Sequence, residues 1–157
     1  MIQRKQTIYL FFAGLIPLVL LFVHLGDLYS EMACYEYTAF AVREVPPTST
    51  FILSTIGNAI LLIATAALSF ISIFLYKNRK AQMKLVSLNM LLILLAVVSI
   101  MYFYPKFIFP KNIALDGVVI EYNYTILICF VSAVGLYLAK RAIAKDEAMI
   151  RSADRLR

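Results

Sequence analysis

Four long runs of apolar residues, each free of Asp, Glu, Lys and Arg, constrain this chain more than any other feature. An α-helix rises about 1.5 Å per residue, so roughly 20 apolar residues are needed to cross the ~30 Å hydrocarbon core of a bilayer. Backbone groups in lipid have no water to bond, and a helix satisfies them within one segment. The sequence therefore predicts four transmembrane helices, at about 7–25, 51–76, 85–104 and 122–139.

The composition supports the same class of protein. The chain is 62% hydrophobic with a mean hydropathy of +0.84, which fits a membrane protein and excludes an ordinary soluble domain. The segments between the predicted spans are too short to hold a further domain. We therefore expect one all-α membrane domain over residues 1–157.

The distribution of positive charge predicts the orientation. All but three of the 15 Lys and Arg residues fall on one side of the predicted membrane, the exceptions being Arg43, Lys106 and Lys111. Cytoplasmic segments carry an excess of these residues. The pattern predicts an up-down-up-down four-helix bundle with both termini and the loop 77–84 in the cytoplasm. The loops 26–50 and 105–121 then lie outside.

The basic residues also suggest what this surface contacts. They lie beside the ends of the predicted spans, which favours anionic lipid headgroups over nucleic acid, despite a pI of about 9.4. The candidate headgroup contacts are Arg4, Lys5, Lys77, Arg79, Lys80, Lys84, Lys140 and Arg141.

The outer loops carry a signal for β-structure. Asp116-Gly117 lies between two short apolar runs, and this dipeptide favours a hairpin because both turn positions need φ > 0. We expect a small sheet, to which the first outer loop adds a strand. Most of the tyrosines gather at this side, where they favour an interfacial aromatic belt over a docking surface. They are Tyr29, Tyr35, Tyr37, Tyr102, Tyr104, Tyr122 and Tyr124.

Few polar groups interrupt the spans. Asn58 and Asn89 are candidate interhelical contacts, at depths too different for them to bond each other. His24 can pair with Asp27 if the first helix persists that far. The predicted spans hold no acidic or basic side chain, which argues against an ion pump or a secondary transporter.

Small residues and Pro17 shape the predicted spans further. The pairs Thr65/Ser69 and Gly135/Ala139 allow helices to approach closely, either within the chain or with another protein. Pro17 predicts a bend in the first span. The two cysteines lie at different depths, one in the outer loop and one in a span, so a disulfide between them is not expected.

The last 18 residues, 140–157, predict a cytoplasmic continuation of the fourth helix with charge pairs four and three residues apart. Two interpretations fit: an amphipathic end lying on the membrane, and a handle for a protein partner. The candidate partner contacts are Lys145, Glu147, Met149, Arg151, Asp154 and Arg155.

Three segments carry a resemblance to a known family. The opening Met1-Ile2-Gln3-Arg4-Lys5-Gln6-Thr7-Ile8-Tyr9-Leu10, the loop from Lys77 to Gln82, and the ending around Lys145-Asp146-Glu147 and 151–157 resemble small four-span membrane proteins of Bacteroidota. That family is known as domain of unknown function number 4293. The resemblance implies a bacterial inner membrane, with the outer loops in the periplasm, and brings no activity or catalytic residues.

No residue pattern assigns a catalytic, cofactor or metal site. The leading hypothesis is a non-enzymatic accessory or scaffold subunit of an inner-membrane assembly, with a protein partner and no cofactor. The alternative is a bundle that binds or passes a lipid or a small apolar molecule, lined by Pro17 and Asn58. A membrane enzyme using Asp27, Glu31 or Glu121 with His24 ranks below both.

Overall fold

The computed structural model describes residues 5–29, 33–45, 51–109 and 119–155. These residues form a mostly helical protein with four helices and a small antiparallel sheet. The helices are α1 (Lys5–Leu20), α2 (Ile56–Phe74), α3 (Arg79–Val98) and α4 (Thr125–Arg155). The strands are β1 (Gly26–Tyr29), β2 (Cys34–Tyr37), β3 (Ala41–Val45), β4 (Phe51–Ser54) and β5 (Val119–Tyr122).

The four helices pack in a ring. Helix α1 packs against α2 and α4, and α3 packs against the same two helices from the other side. The inward faces bury large apolar side chains, among them Leu10, Leu62, Ile93 and Leu136. Apolar side chains also cover the outward faces of all four helices, and Ile60 for example is 61% exposed. An exposed apolar surface of this extent is typical of a face that contacts a membrane or another protein.

Three of the helical segments are long and apolar enough to cross a membrane: Ile56–Phe74, Arg79–Ile108 and Leu127–Ile150. The apolar part of α1, Gln6–Leu20, is shorter. The first predicted span was therefore too long at its end, because the chain leaves the helix after Leu20 to enter the sheet. The fold is compatible with a membrane protein, as the sequence predicted.

A tight connection joins α2 to α3. A single 3₁₀ turn covers Leu75–Lys77, and Asn78 precedes α3. The Asn78 side chain accepts a hydrogen bond from the backbone N–H of Ala81 at 3.2 Å, which satisfies one of the free donors of the helix start. The predicted loop 77–84 is thus mostly helix, because Lys, Arg and Gln are good helix formers once a cap is present.

Helix α3 continues as a wider π-helix over Ser99–Ile108. The backbone N–H of Phe109 donates to the carbonyl of Tyr104, a bond of the wider spacing. Pro105 lies inside this segment, although the sequence placed it at the start of the second outer loop. The prediction was wrong there because a wide turn accommodates a residue that lacks an N–H group.

The sheet lies at the end of the ring where α1 and α3 finish and where α2 and α4 begin. Its order is β4-β3-β2-β1-β5, and all neighbours are antiparallel. Leu28, Tyr37 and Val42 face the helices and are buried. The predicted sheet is confirmed, but the first outer loop supplies three strands and not one. Asp116-Gly117 lies outside the described residues.

Two further boundaries differ from the prediction. Residues 51–54, assigned to the second span, form β4, and Tyr122, assigned to the fourth span, ends β5. A short apolar run fits a buried strand as well as a helix, so hydropathy alone does not separate them. Thr55 fixes the change of direction: its N–H donates to the carbonyl of Phe40 and its hydroxyl to that of Thr38, both at 2.9 Å.

The small residues serve packing within the chain. A Cβ atom added at Gly14 would lie 2.9 Å from the Cβ of Ser69, so α1 and α2 touch closely at this point. Gly135 faces Ala13 across the contact of α4 with α1, and Ala139 is fully buried. These positions therefore belong to intramolecular contacts, the first of the two readings that the sequence allowed.

Pro17 leaves a carbonyl without its usual partner. A helix residue normally donates its N–H to the carbonyl four positions earlier, which here is that of Ala13. The hydroxyl of Ser132 in α4 donates to this carbonyl at 2.9 Å, in a buried position. The neighbouring helix thus supplies the donor that Pro17 lacks, as apolar surroundings require.

We predict that Ser132→Ala lowers the free energy of unfolding by about 1 kcal/mol, because it leaves the Ala13 carbonyl unpaired. In a Pro17→Ala background the restored N–H can bond this carbonyl, so the same change should cost less than half as much. Titration with a denaturing detergent, for all four members of this double-mutant cycle, measures the difference. An equal cost in both backgrounds would contradict the assignment.

Candidate functional site at the helix ends opposite the sheet

Most of the basic residues that the sequence singled out lie at the helix ends opposite the sheet. The α2–α3 connection and the first turns of α3 carry Lys77, Arg79, Lys80 and Lys84, and α4 carries Lys140, Arg141 and Lys145 after its apolar part. Lys5 begins α1 at the same end, and Arg4 lies outside the described residues. The fold therefore brings the candidate headgroup contacts that lie in the described part of the chain to one end of the helix ring.

A groove opens in this surface between α3 and α4. It has a volume of about 320 Å³ and is lined by Lys80, Met83, Lys84, Ser87 and Glu147. A second hollow of about 230 Å³ shares Met83 and Glu147 with it and adds two small residues of α4. The sequence did not predict this groove, because its two walls lie 60 or more residues apart along the chain.

Helix α4 projects beyond the ring. Within the part of α4 whose side chains are described, Ile143 is the last fully buried residue, and the helix continues to Arg155, about three turns further. Met149 and Ile150 on this extension are 54% and 46% exposed. The predicted continuation of the fourth helix is confirmed. Of the candidate partner contacts, Lys145, Glu147 and Met149 are described in full, and Arg151, Asp154 and Arg155 are placed only as part of the helix.

The two asparagines have different partners at different depths. The Nδ2 of Asn58 donates to the hydroxyl of Tyr37 at 2.6 Å, and its Oδ1 accepts from the hydroxyl of Ser99 at 2.7 Å. Asn89 donates to the hydroxyl of Ser69 at 2.7 Å. Each asparagine therefore links α2 to α3, and Asn58 also links both to the sheet.

Tyr37 was assigned to the interfacial aromatic belt, and that assignment was wrong. Its side chain is fully buried and packs edge-on against Phe109, with ring centroids 5.2 Å apart. Burial raises the pKa of the Tyr37 hydroxyl far above its ordinary value. A tyrosine in a loop gives no sequence signal of burial, since the pattern of a short strand reveals its inward face only once the register is known.

A third contact between α2 and α3 was also missed. The Nε2 of Gln82 donates to the backbone carbonyl of Ser72 at 2.8 Å, and both side chains are buried. A signal was present in α2, where Thr65, Ser69 and Ser72 recur three or four residues apart on its inward face. Gln82 gave no such signal, because the sequence analysis assigned it to the basic loop 77–84.

On the outward face of the sheet, His24 lies between two carboxylates. Its Nε2 is 2.8 Å from Asp27 and its Nδ1 is 3.7 Å from Glu36. The predicted contact with Asp27 is present, although a turn and the start of β1 bring it about and not a continued helix. Asp27 also lies opposite Glu121 in β5, while Glu36 lies opposite Arg43 in β3. The row is thus acidic at its centre.

The chemistry of this outward face is limited. The charge of Asp27 raises the pKa of the neighbouring Tyr29, which shows the negative field of the row. Within the described ranges, no group of three or more His, Cys, Asp or Glu side chains is placed to hold a metal ion. Glu31 lies outside those ranges. Cys34 is exposed on the same face, Cys129 is buried in α4, and both are free thiols.

These observations define a class of protein: a ring of apolar helices, with a small sheet over one end and a basic, grooved surface with a projecting helix at the other. The chain belongs to the family described as a domain of unknown function, DUF4293, whose sequence model matches residues 2–156. No curated protein matches the chain. The family resemblance in the sequence is therefore confirmed over nearly the whole chain, and function has to be argued from the structure.

We predict that Tyr37→Phe lowers the free energy of unfolding by about 1–2 kcal/mol. The ring contact with Phe109 is kept, but the buried amide of Asn58 loses its acceptor. Tyr35→Phe is the matched control, since this half-buried ring is in the same strand and its hydroxyl has no hydrogen-bond partner in the described part of the chain. Unfolding monitored by circular dichroism measures both, and equal effects would refute the role of Tyr37.

The same pair of variants gives a pH test. The folded-state pKa of Tyr37 is raised above its unfolded value of about 10, so its contribution to stability is present below pH 10 and is lost as pH rises further. The wild-type protein should therefore lose stability above pH 10 more steeply than Tyr37→Phe. Tyr35→Phe should follow the wild type more closely.

Proposed function

We propose that the protein is a four-span integral protein of a bacterial inner membrane, with both termini in the cytoplasm. The apolar outward faces of the helices support a membrane location, and the basic surface at the end opposite the sheet supports the orientation. Helix α1 has 16 residues, about 24 Å in length, and a span of that length is accommodated by local thinning of the bilayer. Its position between α2 and α4 supports a transmembrane path for it as well.

Within this membrane, the function that we favour is that of a non-enzymatic accessory or scaffold subunit. The observation that carries it is the extension of α4 past Ile143, which presents apolar Met149 and Ile150 without packing them on the ring. Exposed apolar side chains on a helix are the anchors that a hydrophobic groove of a partner accepts. The partner is a protein with a cytoplasmic surface that accepts such a helix.

The alternative function is binding of a lipid or a small apolar molecule. The inner site that the sequence suggested is filled, because both ends of the Asn58 amide are hydrogen-bonded and the small residues are packed against neighbouring helices. The groove between α3 and α4 is open, and it is the observation that keeps this alternative.

The orientation predicts the accessibility of thiols. Cys34 is exposed on the sheet, so a membrane-impermeant maleimide should label it in intact spheroplasts. In a Cys34→Ser background, the variant Lys145→Cys should be labelled only in inside-out vesicles. Cys129 is buried and provides the unlabelled reference in both preparations. Labelling of the Lys145→Cys variant from outside would overturn the proposed topology.

The scaffold role predicts a partner that depends on the α4 extension. Deletion of residues 145–157 should abolish co-purification of a stoichiometric partner in mild detergent while leaving the protein in the membrane. Met149→Gln with Ile150→Gln should weaken it at least tenfold, because the apolar anchors are lost. The matched control, Ser152→Gln, introduces the same side chain at an exposed position of the same helix that is not a candidate partner contact, and it should have little effect. An unchanged complex after the deletion would exclude this role of the extension.

A further inference from the structure

Two glutamines point into the helix ring from opposite sides, close to the end that lies opposite the sheet. Helices α1 and α3 are diagonal to each other, since each of them packs against α2 and α4. Both helices begin at this end, and Gln6 and Gln82 lie in their first turns. The two residues are only 4% and 2% exposed, so both side chains are directed towards the interior of the ring.

Contacts further along the helices place the two glutamines at the same depth. Gly14 of α1 lies against Ser69 of α2, and the hydroxyl of Ser69 accepts a hydrogen bond from Asn89 of α3. Gln6 precedes Gly14 by eight residues and Gln82 precedes Asn89 by seven, which is about two turns of helix in both cases. The two glutamines therefore share one layer of the ring, which we call the glutamine layer.

Three buried polar atoms near this layer have no hydrogen-bond partner in the described part of the chain. The Oε1 atoms of Gln6 and Gln82 are acceptors without a donor, and the Nη1 of Arg79 is a donor without an acceptor. Arg79 precedes Gln82 by three residues, so it lies one turn nearer the helix end on the same face of α3. Buried polar groups without partners are costly, and an occupant that supplies these hydrogen bonds would remove the cost.

The three atoms select among the possible small occupants. A cation would be attracted by the two amide oxygens but repelled by the guanidinium of Arg79, and an anion would be attracted by Arg79 but repelled by both oxygens. A water molecule donates two hydrogen bonds and accepts a third, so it matches two acceptors and one donor. The chemistry of the layer therefore favours water over either kind of ion.

We propose that the glutamine layer binds an ordered water molecule, which donates to the Oε1 atoms of Gln6 and Gln82 and accepts from the Nη1 of Arg79. The water joins α1 to α3 across the ring. Leu10 and Val86 follow one turn deeper on these helices and are fully buried, so an apolar layer closes the site towards the middle of the ring. The site is thus a seat for one bound molecule and not the start of a channel. It does not rest on the proposed function, because its residues belong to the interior of the ring.

Magnetisation transfer from water to side-chain amides tests the proposal in the full-length protein in detergent micelles. Rotating-frame cross-peaks distinguish a bound water from hydrogen exchange by their sign. Such cross-peaks should appear at the Nε2 hydrogens of Gln6 and Gln82. Arg79→Met with Gln82→Met leaves the water a single partner, so the cross-peak at Gln6 should disappear. The matched control is Lys80→Met with Asn89→Leu, which removes one positive charge and one buried amide of α3 outside the layer. It should leave the cross-peak at Gln6 unchanged.

Three results of this experiment would overturn the proposal. The first is a wild-type protein without a water cross-peak at either glutamine. The second is a cross-peak at Gln6 that survives the change of Arg79 and Gln82, or that the control abolishes equally. The third is a shift of the ¹³Cδ signals of the two glutamines when choline chloride is replaced by sodium or potassium chloride, which would identify a cation site.

A double-mutant cycle measures the same bridge through stability. Gln6→Met should raise the unfolding equilibrium constant about fivefold in the wild type but less than about twofold in a Gln82→Met background, where the water has already lost a partner. The hydrogen bond from Gln82 to Ser72 is lost in both arms of the cycle and cancels. The Oδ1 of Asn89 also lacks a partner in the described part of the chain, but it lies beyond the apolar layer. In an Asn89→Leu background Gln6→Met should therefore keep its full effect, and equal effects in the two backgrounds would refute the bridge.

Discussion

The structure depends on one constraint: the polar groups on the inward face of α2 need hydrogen-bond partners within the protein. On α2 these groups are Asn58, Thr65, Ser69 and Ser72. Thr65 and Ser72 donate to carbonyls of their own helix, while the other two bond to side chains of α3. Three hydrogen bonds join α2 to α3 and its continuation: Asn58 pairs with Ser99, Ser69 with Asn89, and Ser72 with Gln82.

Apolar packing alone permits two helices to slide past each other by a turn. These three contacts, spread over nearly the whole length of both helices, fix one antiparallel register, because any slip would strand several buried amides at once.

The same constraint joins the sheet to the helices. Asn58 bonds to Tyr37 of β2, and Thr55 bonds to two carbonyls of the β2–β3 turn, so the start of α2 is tied to the sheet on both sides. Pro17 creates a missing donor where the asparagine and threonine side chains supply extra ones. Its nitrogen has no hydrogen to donate within α1, and the hydroxyl of Ser132 in α4 donates in its place. Helix α1 thus lacks one backbone hydrogen bond, and α4 supplies the replacement. The two helices, which are far apart in sequence, are joined by a hydrogen bond that Pro17 makes necessary.

The sequence predicted the features that depend on average hydropathy, above all the positions of the helices. The predictions were wrong where strand pairing or a single side chain determines the local structure. Apolar runs located the helices, but the run at 51–54 pairs as a strand because β3 offers it a partner there. Pro105 was placed at the start of the second outer loop, yet it lies inside the π-helix that continues α3. Tyr37 was placed in an aromatic belt because its strand register, and hence its inward direction, was unknown. The groove was beyond prediction for a similar reason. Lys80 and Glu147 line the same groove only after α3 and α4 have packed, and no local sequence pattern reveals this.

The two ends of the molecule consequently differ in kind. At the sheet end, Tyr37 points inward and is hydrogen-bonded to α2, and in the outward row of charges His24 is hydrogen-bonded to Asp27. At the other end, charged side chains line an open groove, and the apolar side chains of Met149 and Ile150 are about half exposed on the extension of α4. The candidate sites for lipid and for a partner are therefore both on this end, and they share α4. Glu147 lines the groove, and Met149 follows two residues later on the same rigid helix.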